Sequence, residues 1–268
     1  MTVNFKKLHK DSTGGNIVLG VLPKDLATPT PTPSPSNTPT PTPTATNAIS
    51  SGLSVSLNIS NYSSGSTTWT NSLNNGNNGS LVNGPTSISG AIQFDGSNDY
   101  MTFTSGILLK PSTTQPITLQ AWIYPTSQRN TGLFGKLSNQ NSYDGYIFGF
   151  QSGITNSTTN GTLIDRRING TNARLIANNE WQMVTYIAVI NNNSGSTQAY
   201  VNTTQVLAGA HGSDGYDEFN YLRIGQGYHG DLAIAYTGRI AEFNYYNRAL
   251  SLNEITDNYN NTKGKYGL

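Results

Sequence analysis

Short runs of alternating apolar and polar residues follow one another from Leu53 to the end of the chain. The pattern is clearest in LSVSLNI (Leu53–Ile59) and ITLQAWIYP (Ile117–Pro125), where every second side chain is apolar. A period of two is typical of a β-strand with one buried face. Because no helical pattern lies between these runs, their spacing predicts an all-β fold, a two-sheet antiparallel sandwich of the jelly-roll kind.

Three further segments predict strands that are joined by short polar turns. AIQFDGSNDYMTF (Ala91–Phe103) predicts two strands around a Gly-Ser-Asn turn. WQMVTYIAVI (Trp181–Ile190) and TQAYVNTTQVL (Thr197–Leu207) predict a hairpin across the sequence NNNSGS. The strands therefore continue through the whole C-terminal part of the chain.

One short helix is predicted near the C-terminus, in SLNEITDNYNN. Ser251 and Glu254 have the spacing of a capping box, in which each side chain bonds a backbone amide of the first turn. Leu252, Ile255 and Tyr259 then share one face. We expect this helix to lie over one end of the sandwich.

A proline-rich segment, TPTPTPSPSNTPTPTPT (Thr28–Thr44), holds seven of the twelve prolines. Proline fixes φ and lacks an amide donor, and it disfavours the helical conformation in the residue before it. The segment is therefore predicted to form a polyproline II spacer of about 50 Å. A flexible linker or an O-glycosylated stalk remain as alternatives. The predicted organisation is a leader (1–27), a Pro/Thr-rich linker (28–47) and a sandwich (48–268).

The leader is too short to fold alone, and it carries apolar residues on both sides of a Gly14–Gly15 break. We expect an extended peptide that orders on a partner, for example by adding a strand to a sheet edge. A disordered tail is the alternative. No secretory signal pattern is found, which favours assembly inside a cell. The predicted anchoring residues are Val3, Phe5, Leu8, Ile17, Val18 and Leu19.

The charge composition argues against several partners. Charged residues make up 11% of the chain and the net charge is +1, whereas ordinary globular chains hold about 25% charged residues. A surface with so little positive charge predicts no nucleic-acid binding. No apolar run approaches the ~20 residues of a membrane span, so we expect no membrane insertion. The absence of cysteine excludes disulfides and thiolate metal sites.

Several motifs, in order, resemble one family. SSGSTTWTNSLNNGNNGSLVNGPT (Ser63–Thr86), the strands around Trp122 and Trp181, and the closing GRIAEFNYYNRALSLNEITDNYN are similar to the laminin-G-like domains of the concanavalin A-like lectin/glucanase superfamily. The resemblance extends over roughly residues 53–268. It implies a lectin-like sandwich, a fold that hosts lectins, hydrolases, adhesion modules and virion proteins.

The ending NYNNTKGKYGL (Asn258–Leu268) and the whole arrangement resemble laminin-G-type proteins of tailed bacteriophages. This resemblance implies a structural virion protein, assembled in the host cytoplasm, that serves as a capsid decoration, a head or neck fibre, or a tail-fibre component. Residues 1–27 would dock on other virion proteins, and the sandwich would bind host-surface or environmental glycans. A homo-oligomer is compatible with this interpretation. The alternative is a carbohydrate-binding module of a bacterial surface or secreted protein.

Catalysis is not expected. Glycoside hydrolysis needs two carboxyl groups at a defined separation, and hydrolases of this fold place acids alternately on one strand. The chain has no such run. Asp217 and Glu218 are adjacent, so they would face opposite ways on a strand.

Calcium is the one candidate metal, since related domains often hold it at the sandwich rim through oxygen ligands. In the related closing strand, G-x-I-D-E, the acid is replaced here by Ala241. The candidate ligands are therefore Asp95, Asp99 and Glu242. The competing interpretation is that Asp95 and Asp99 form turns through their own side chains.

The candidate sugar site consists of aromatic and polar residues in two predicted loop regions. Rings stack on sugar faces, and polar side chains bond the hydroxyls. The alternative is that these tyrosines are strand residues with hydrated hydroxyls. The candidate residues are Tyr143, Tyr146, Tyr216, Tyr221, Arg223, Tyr228 and His229.

Overall fold

The structure, a computed structural model, describes ten stretches of the chain. They are residues 49–103, 116–127, 131–137, 145–151, 154–159, 162–165, 176–191, 194–212, 222–226 and 235–268. The leader and the whole linker lie outside these residues. The predicted anchoring residues therefore also lie outside them; they are Val3, Phe5, Leu8, Ile17, Val18 and Leu19. The division into 1–27, 28–47 and 48–268 stays a prediction.

Sixteen β-strands and one α-helix with a 3-10 extension form within these stretches. The strands are β1 (Leu53–Tyr62), β2 (Thr68–Asn71), β3 (Gly79–Val82), β4 (Thr86–Ile88), β5 (Ala91–Asp95), β6 (Tyr100–Phe103), β7 (Ile117–Pro125), β8 (Thr131–Leu137), β9 (Gly145–Gln151), β10 (Ile154–Thr159), β11 (Thr162–Asp165), β12 (Gln182–Asn191), β13 (Ser194–Val201), β14 (Thr204–Gly212), β15 (Arg223–Ile224) and β16 (Thr237–Tyr246). The helix is α1 (Leu252–Thr262), and the 3-10 segment is Lys263–Tyr266.

All strand pairings are antiparallel in the described stretches. One layer follows the order β1-β16-β7-β12-β13-β14, and the other follows β11-β10-β9-β8-β15-β6-β3. Strand β2 joins the two layers by pairing with β1 and β3, while β5 pairs with β16 and β4. This arrangement confirms the predicted antiparallel sandwich with a single short C-terminal helix.

Aromatic side chains from both layers meet in the core between them. The ring of Phe243 on β16 lies 5.9 Å from that of Phe103 on β6 and 6.0 Å from that of Phe134 on β8. Phe148 of β9 stacks on Tyr186 of β12 at 5.3 Å. Such contacts bury large apolar areas, which is the main stabilising term for a sandwich.

Strand β7 is buried on both of its faces. Its apolar residues point into the core as predicted, but Thr118, Gln120 and Trp122 on the opposite face are buried too. The cover is α1, which lies on the outer face of this layer rather than over one end of the sandwich as expected. The indole Nε1 of Trp122 donates to Thr262 Oγ1 of α1 at 2.9 Å.

The capping box of α1 is confirmed. The amide of Glu254 donates to Ser251 Oγ at 3.3 Å, and Glu254 Oε2 accepts from the amide of Ser251 at 2.8 Å. The predicted apolar face is only partly right, because Leu252 is 50% exposed while Asn258 is buried beside Ile255. The sheet face below α1 carries polar groups, so the helix presents polar side chains to pair with them.

The predicted hairpin of β12 and β13 is confirmed, but TQAYVNTTQVL is not one strand. The chain turns at Asn202, whose φ of 55° is left-handed, and β14 returns beside β13. Asn202 Oδ1 accepts from the amide of Met183 at 3.0 Å, which fixes the turn against β12. Asparagine tolerates this conformation better than most residues.

Within the stretches that the structure describes, no helix has the length and hydrophobicity needed to cross a membrane.

Candidate functional site

A groove opens on the outer face of the β1–β16 layer, beside α1. Val55 and Leu57 of β1 face the core, so Ser56 and Asn58, which alternate with them, face outward. We call this feature the β1–β16 groove. Its volume is about 470 Å³, within the range of small-molecule sites. Its lining residues are Ser50, Leu53, Ser56, Asn58, Ser60, Asn61, Ser72, Leu73, Glu242, Asn244, Asn261, Thr262 and Lys265.

Glu242 and Lys265 form the charged part of the groove. Glu242 Oε1 accepts from Lys265 Nζ at 2.8 Å and from Asn58 Nδ2 at 2.9 Å. The Glu242 side chain is 8% exposed and that of Lys265 is 51% exposed. The two charges compensate each other, and donors from Lys265 and Asn58 hold the carboxylate, as a nearly buried charge requires.

Asn244 provides the floor between the strands, where it lies opposite Ser56 of β1 and Gln120 of β7. The residue is 6% exposed, and its Oδ1 is buried with no hydrogen-bond partner in the described part of the chain. Buried acceptors are nearly always paired, because an unpaired one costs about 1–3 kcal/mol. The floor of the groove therefore holds an acceptor that is unpaired and closed off from solvent.

A stack of aromatic rings holds the wall that carries Lys265. Tyr266 stacks on Trp122 with ring centres 4.2 Å apart and contacts Trp181 at 4.9 Å. Burial, followed by repulsion from Glu242 and a hydrogen bond to it, raises the pKa of the Tyr266 phenol. The raised pKa keeps the phenol protonated. The ring contacts with Trp122 and Trp181 fix the 3-10 segment against the sheet.

Arg223, one of the predicted sugar-binding residues, lies on β15 and is engaged in packing. Its guanidinium lies 4.3 Å from the ring centre of Tyr100 and donates to Gln226 Oε1. Burial lowers the pKa of Arg223, against an opposing effect of Tyr100. These contacts fix the Arg223 side chain without bringing it to the β1–β16 groove.

Of the predicted tyrosines, only Tyr146 falls in the described stretches. It lies on β9, opposite Lys136 of β8 and Thr159 of β10. The other sugar-site candidates lie outside the described residues, and their role stays a prediction. They are Tyr143, Tyr216, Tyr221, Tyr228 and His229.

The three predicted calcium ligands are not brought together. Asp95 Oδ1 accepts from the amide of Ser97 at 2.7 Å, and Asp99 Oδ2 accepts from the amide of Asp95 at 3.0 Å. These are the turn contacts of the competing interpretation, and burial raises the pKa of the Asp99 carboxyl. Glu242 lies apart from them in the β1–β16 groove.

In the part of the chain that the structure describes, no three or more His, Cys, Asp or Glu side chains are grouped to hold a metal. Calcium binding stays a prediction.

From the sequence, Glu242 was expected only as a metal ligand, and Asn244 was not among the candidate residues. One signal was available, since the closing strand AEFNYY places two polar residues at alternate positions among apolar ones. Polar residues at alternate positions of an otherwise apolar strand indicate that one face of the strand is polar but partly covered, rather than packed in the core or fully exposed to solvent.

The sequence matches the model of one protein family. Residues 95–256, more than half of the chain, match the family model Laminin_G_3, described as the concanavalin A-like lectin/glucanases superfamily. No curated protein matches the sequence.

Three solved structures illustrate the structural likeness. Domain 4 of AbnA, a GH43 extracellular arabinanase from Geobacillus stearothermophilus in complex with arabinotriose, has a TM-score of 0.50 at 15% identity, over 77% of this chain and 98% of that one. A mutant Trypanosoma rangeli sialidase displaying trans-sialidase activity has a TM-score of 0.58 at 12% identity, over 81% and 34%. Botulinum neurotoxin type C, whose cell entry depends on two ganglioside molecules, has a TM-score of 0.52 at 14% identity, over 78% and 51%.

The chain thus spans about a third of the sialidase (34%) and about half of the toxin chain (51%) that it matches. At these identities the likeness shows the fold alone, which hosts enzymes and binding domains alike.

Proposed function

The chain belongs to the concanavalin A-like lectin/glucanase superfamily, and on that premise we propose that its sandwich is an adhesion domain that binds carbohydrate in the β1–β16 groove without cleaving it. The observation that carries the proposal is the unpaired Oδ1 of Asn244 at the base of a groove lined by serine and asparagine. Hydroxyl and amide side chains are the groups that bond sugar hydroxyls, and a rigid sheet holds them in place.

Two further facts support a binding role. Among the described residues that line the groove, Glu242 is the one carboxylate, whereas glycoside hydrolysis uses two. Structures that share this fold were solved with arabinotriose bound, or concern a toxin that depends on gangliosides. Carbohydrate adhesion is therefore the activity that best suits this groove on this fold.

The finer part of the proposal is that the domain is displayed on a tailed-phage virion. Residues 1–27 would attach to a capsid, neck or tail protein, and the proline-rich linker would hold the sandwich away from the particle. This part rests on the phage-like ending Asn258–Leu268 and on the stiffness of a Pro-rich spacer.

Glycan binding is tested with the full chain on a glycan array and by calorimetry against each ligand found. We expect binding without the release of new reducing ends. Asn261→Ala, in the groove wall, should weaken binding, whereas Asn260→Ala, at the neighbouring exposed position of α1, should leave it unchanged. A protein that binds no glycan, or that shortens an oligosaccharide, would refute the proposal.

Display on the virion is tested by deleting residues 1–27 from the full chain. We expect the truncated protein to disappear from purified particles in an immunoblot while its thermal unfolding stays unchanged. Deletion of residues 28–47 is the matched control and should leave attachment intact. Attachment of the truncated protein at the wild-type level would show that the leader is not the anchor.

A further inference from the structure

We propose that the β1–β16 groove selects neutral, hydroxyl-rich sugars over sugars that carry carboxylate or sulfate groups. This inference rests on the proposed carbohydrate binding and adds the chemical class of the ligand. It depends on the charge balance of the groove and on its hydrogen-bond inventory.

The charge balance disfavours anions. Among the described residues that line the groove, Lys265 is the one cation, and its Nζ lies 2.8 Å from Glu242 Oε1. An anionic ligand that bonded the remaining N–H donors of Lys265 would therefore lie within a few ångströms of the Glu242 carboxylate. The repulsion between these two negative charges offsets the attraction of Lys265. A neutral ligand meets no such repulsion.

The hydrogen-bond inventory favours hydroxyl groups. The unpaired group at the base of the groove, Asn244 Oδ1, is an acceptor, so the ligand has to supply a donor. Ionised carboxylate and sulfate oxygens only accept, whereas a sugar hydroxyl can donate. Oδ1 is buried in the floor, so a ligand reaches it after the amide turns over about its last torsion, which is a broad one.

The walls of the groove suit the rest of a sugar ring. Ser60 Oγ donates to Asn58 Oδ1 at 2.9 Å and Ser72 Oγ donates to the Ser56 carbonyl at 3.0 Å, so both hydroxyls can still accept from a ligand. The Ser56 hydroxyl can rotate to donate or to accept. Leu73 is 40% exposed at the edge of the groove and offers an apolar surface to the C–H face of a ring. None of these contacts requires a charge on the ligand.

The test compares matched ligands with the full chain. Calorimetry is run with neutral oligosaccharides and with the same backbones carrying a uronic acid or a sulfate, at low and high salt. We expect the neutral ligand to bind about tenfold or more tightly than its acidic counterpart, with little dependence on salt. Tighter binding of the acidic ligand, weakened by salt, would overturn the inference and leave carbohydrate binding in place.

Two variants test the mechanism, with Asn260→Ala as the control. Asn244→Leu removes the acceptor and should weaken binding of the neutral ligand about tenfold. Glu242→Gln keeps an acceptor for Asn58 but frees Lys265, so binding of the acidic ligand should rise severalfold relative to the neutral one. An unchanged preference in Glu242→Gln, with wild-type thermal unfolding, would refute the charge argument. Sugar binding that Asn244→Leu leaves unchanged would refute the groove as the site, and no binding of either class would refute the proposed function itself.

Discussion

Asn258 is the residue whose replacement should reveal how much the C-terminal helix contributes to the sandwich. It is 1% exposed. Its Nδ2 donates to Gln120 Oε1 and to the Tyr246 hydroxyl, both at 3.0 Å, and its Oδ1 accepts from the amide of Ile49 at 2.8 Å. One side chain thus joins α1 to β7, to β16 and to the first described residue of the domain. Asn258→Leu keeps a similar volume and removes all three bonds.

The expected loss follows from the partners that remain. Gln120 Oε1 is buried and would have no donor, and the Ile49 amide would lose its acceptor. Each buried group left unpaired costs about 1–3 kcal/mol, and the Tyr246 hydroxyl loses the bond that it accepts from Asn258 Nδ2. We expect the free energy of unfolding to fall by about 3–5 kcal/mol. For a domain of this size that loss lowers the melting temperature by about 6–20 °C.

Urea unfolding of the full chain, followed by tryptophan fluorescence, measures this loss through the transition midpoint. Asn260→Leu is the control, because Asn260 lies on the exposed face of the same helix and should change stability by less than about 0.5 kcal/mol. If Asn258→Leu lost no more than the control, the three bonds would not hold the helix on the sheet, and the reasoning would be wrong.

Two further predictions concern stability. A bidentate pair with Arg248 lowers the pKa of Glu254 from 4.5 to about 2. The ionised Glu254 therefore stabilises the folded protein above pH 4.5, and this stabilisation is lost as the pH falls toward 2. Because both side chains are partly exposed, we expect the free energy of unfolding to fall by about 1 kcal/mol. Urea midpoints across this range should show that loss in the wild type, and an equal loss in Glu254→Gln would contradict the assignment. Gly238 has a φ of 152°, and a Cβ there would lie 2.5 Å from a backbone oxygen of β7, whereas a Cβ at Gly90 (φ 72°) would meet nothing. Gly238→Ala should therefore lower the unfolding midpoint clearly more than Gly90→Ala, and equal losses would show that the close approach does not matter.

The strands were predictable where one face is core. Leu53–Ile59 alternates strictly, and β1 forms there with Val55, Leu57 and Ile59 toward the core. Leu53 instead packs on the outer face, because the register shifts between Leu53 and Val55. The capping box of Ser251 and Glu254 was equally clear, because it depends on residues three positions apart. The turn at Asn202 was missed because the sequence there has no glycine to mark it. Patterns among neighbouring residues thus predicted the strands and the helix start, which depend on contacts between neighbouring residues.

The groove could not be predicted in the same way, because its geometry depends on contacts between distant parts of the chain. The bond from Asn258 to Gln120 joins residues 138 positions apart, and α1 has to lie on the sheet before the groove has a wall. Asn58 and Glu242 are 184 positions apart. Serine and asparagine on alternate positions of β1 look like an ordinary solvent face until β16 and α1 are placed beside them.

The helix and the groove share one face of the same sheet, and this explains why polar residues lie where core would be expected. Under α1, the outward residues Gln120 and Tyr246 are paired by Asn258. Beside α1, the next outward residue of β16, Asn244, has no such partner and lies at the base of the groove. A leucine there would leave no buried acceptor without a partner. Asn244 therefore weakens the free protein slightly, which is the behaviour expected of a residue whose partner is a ligand.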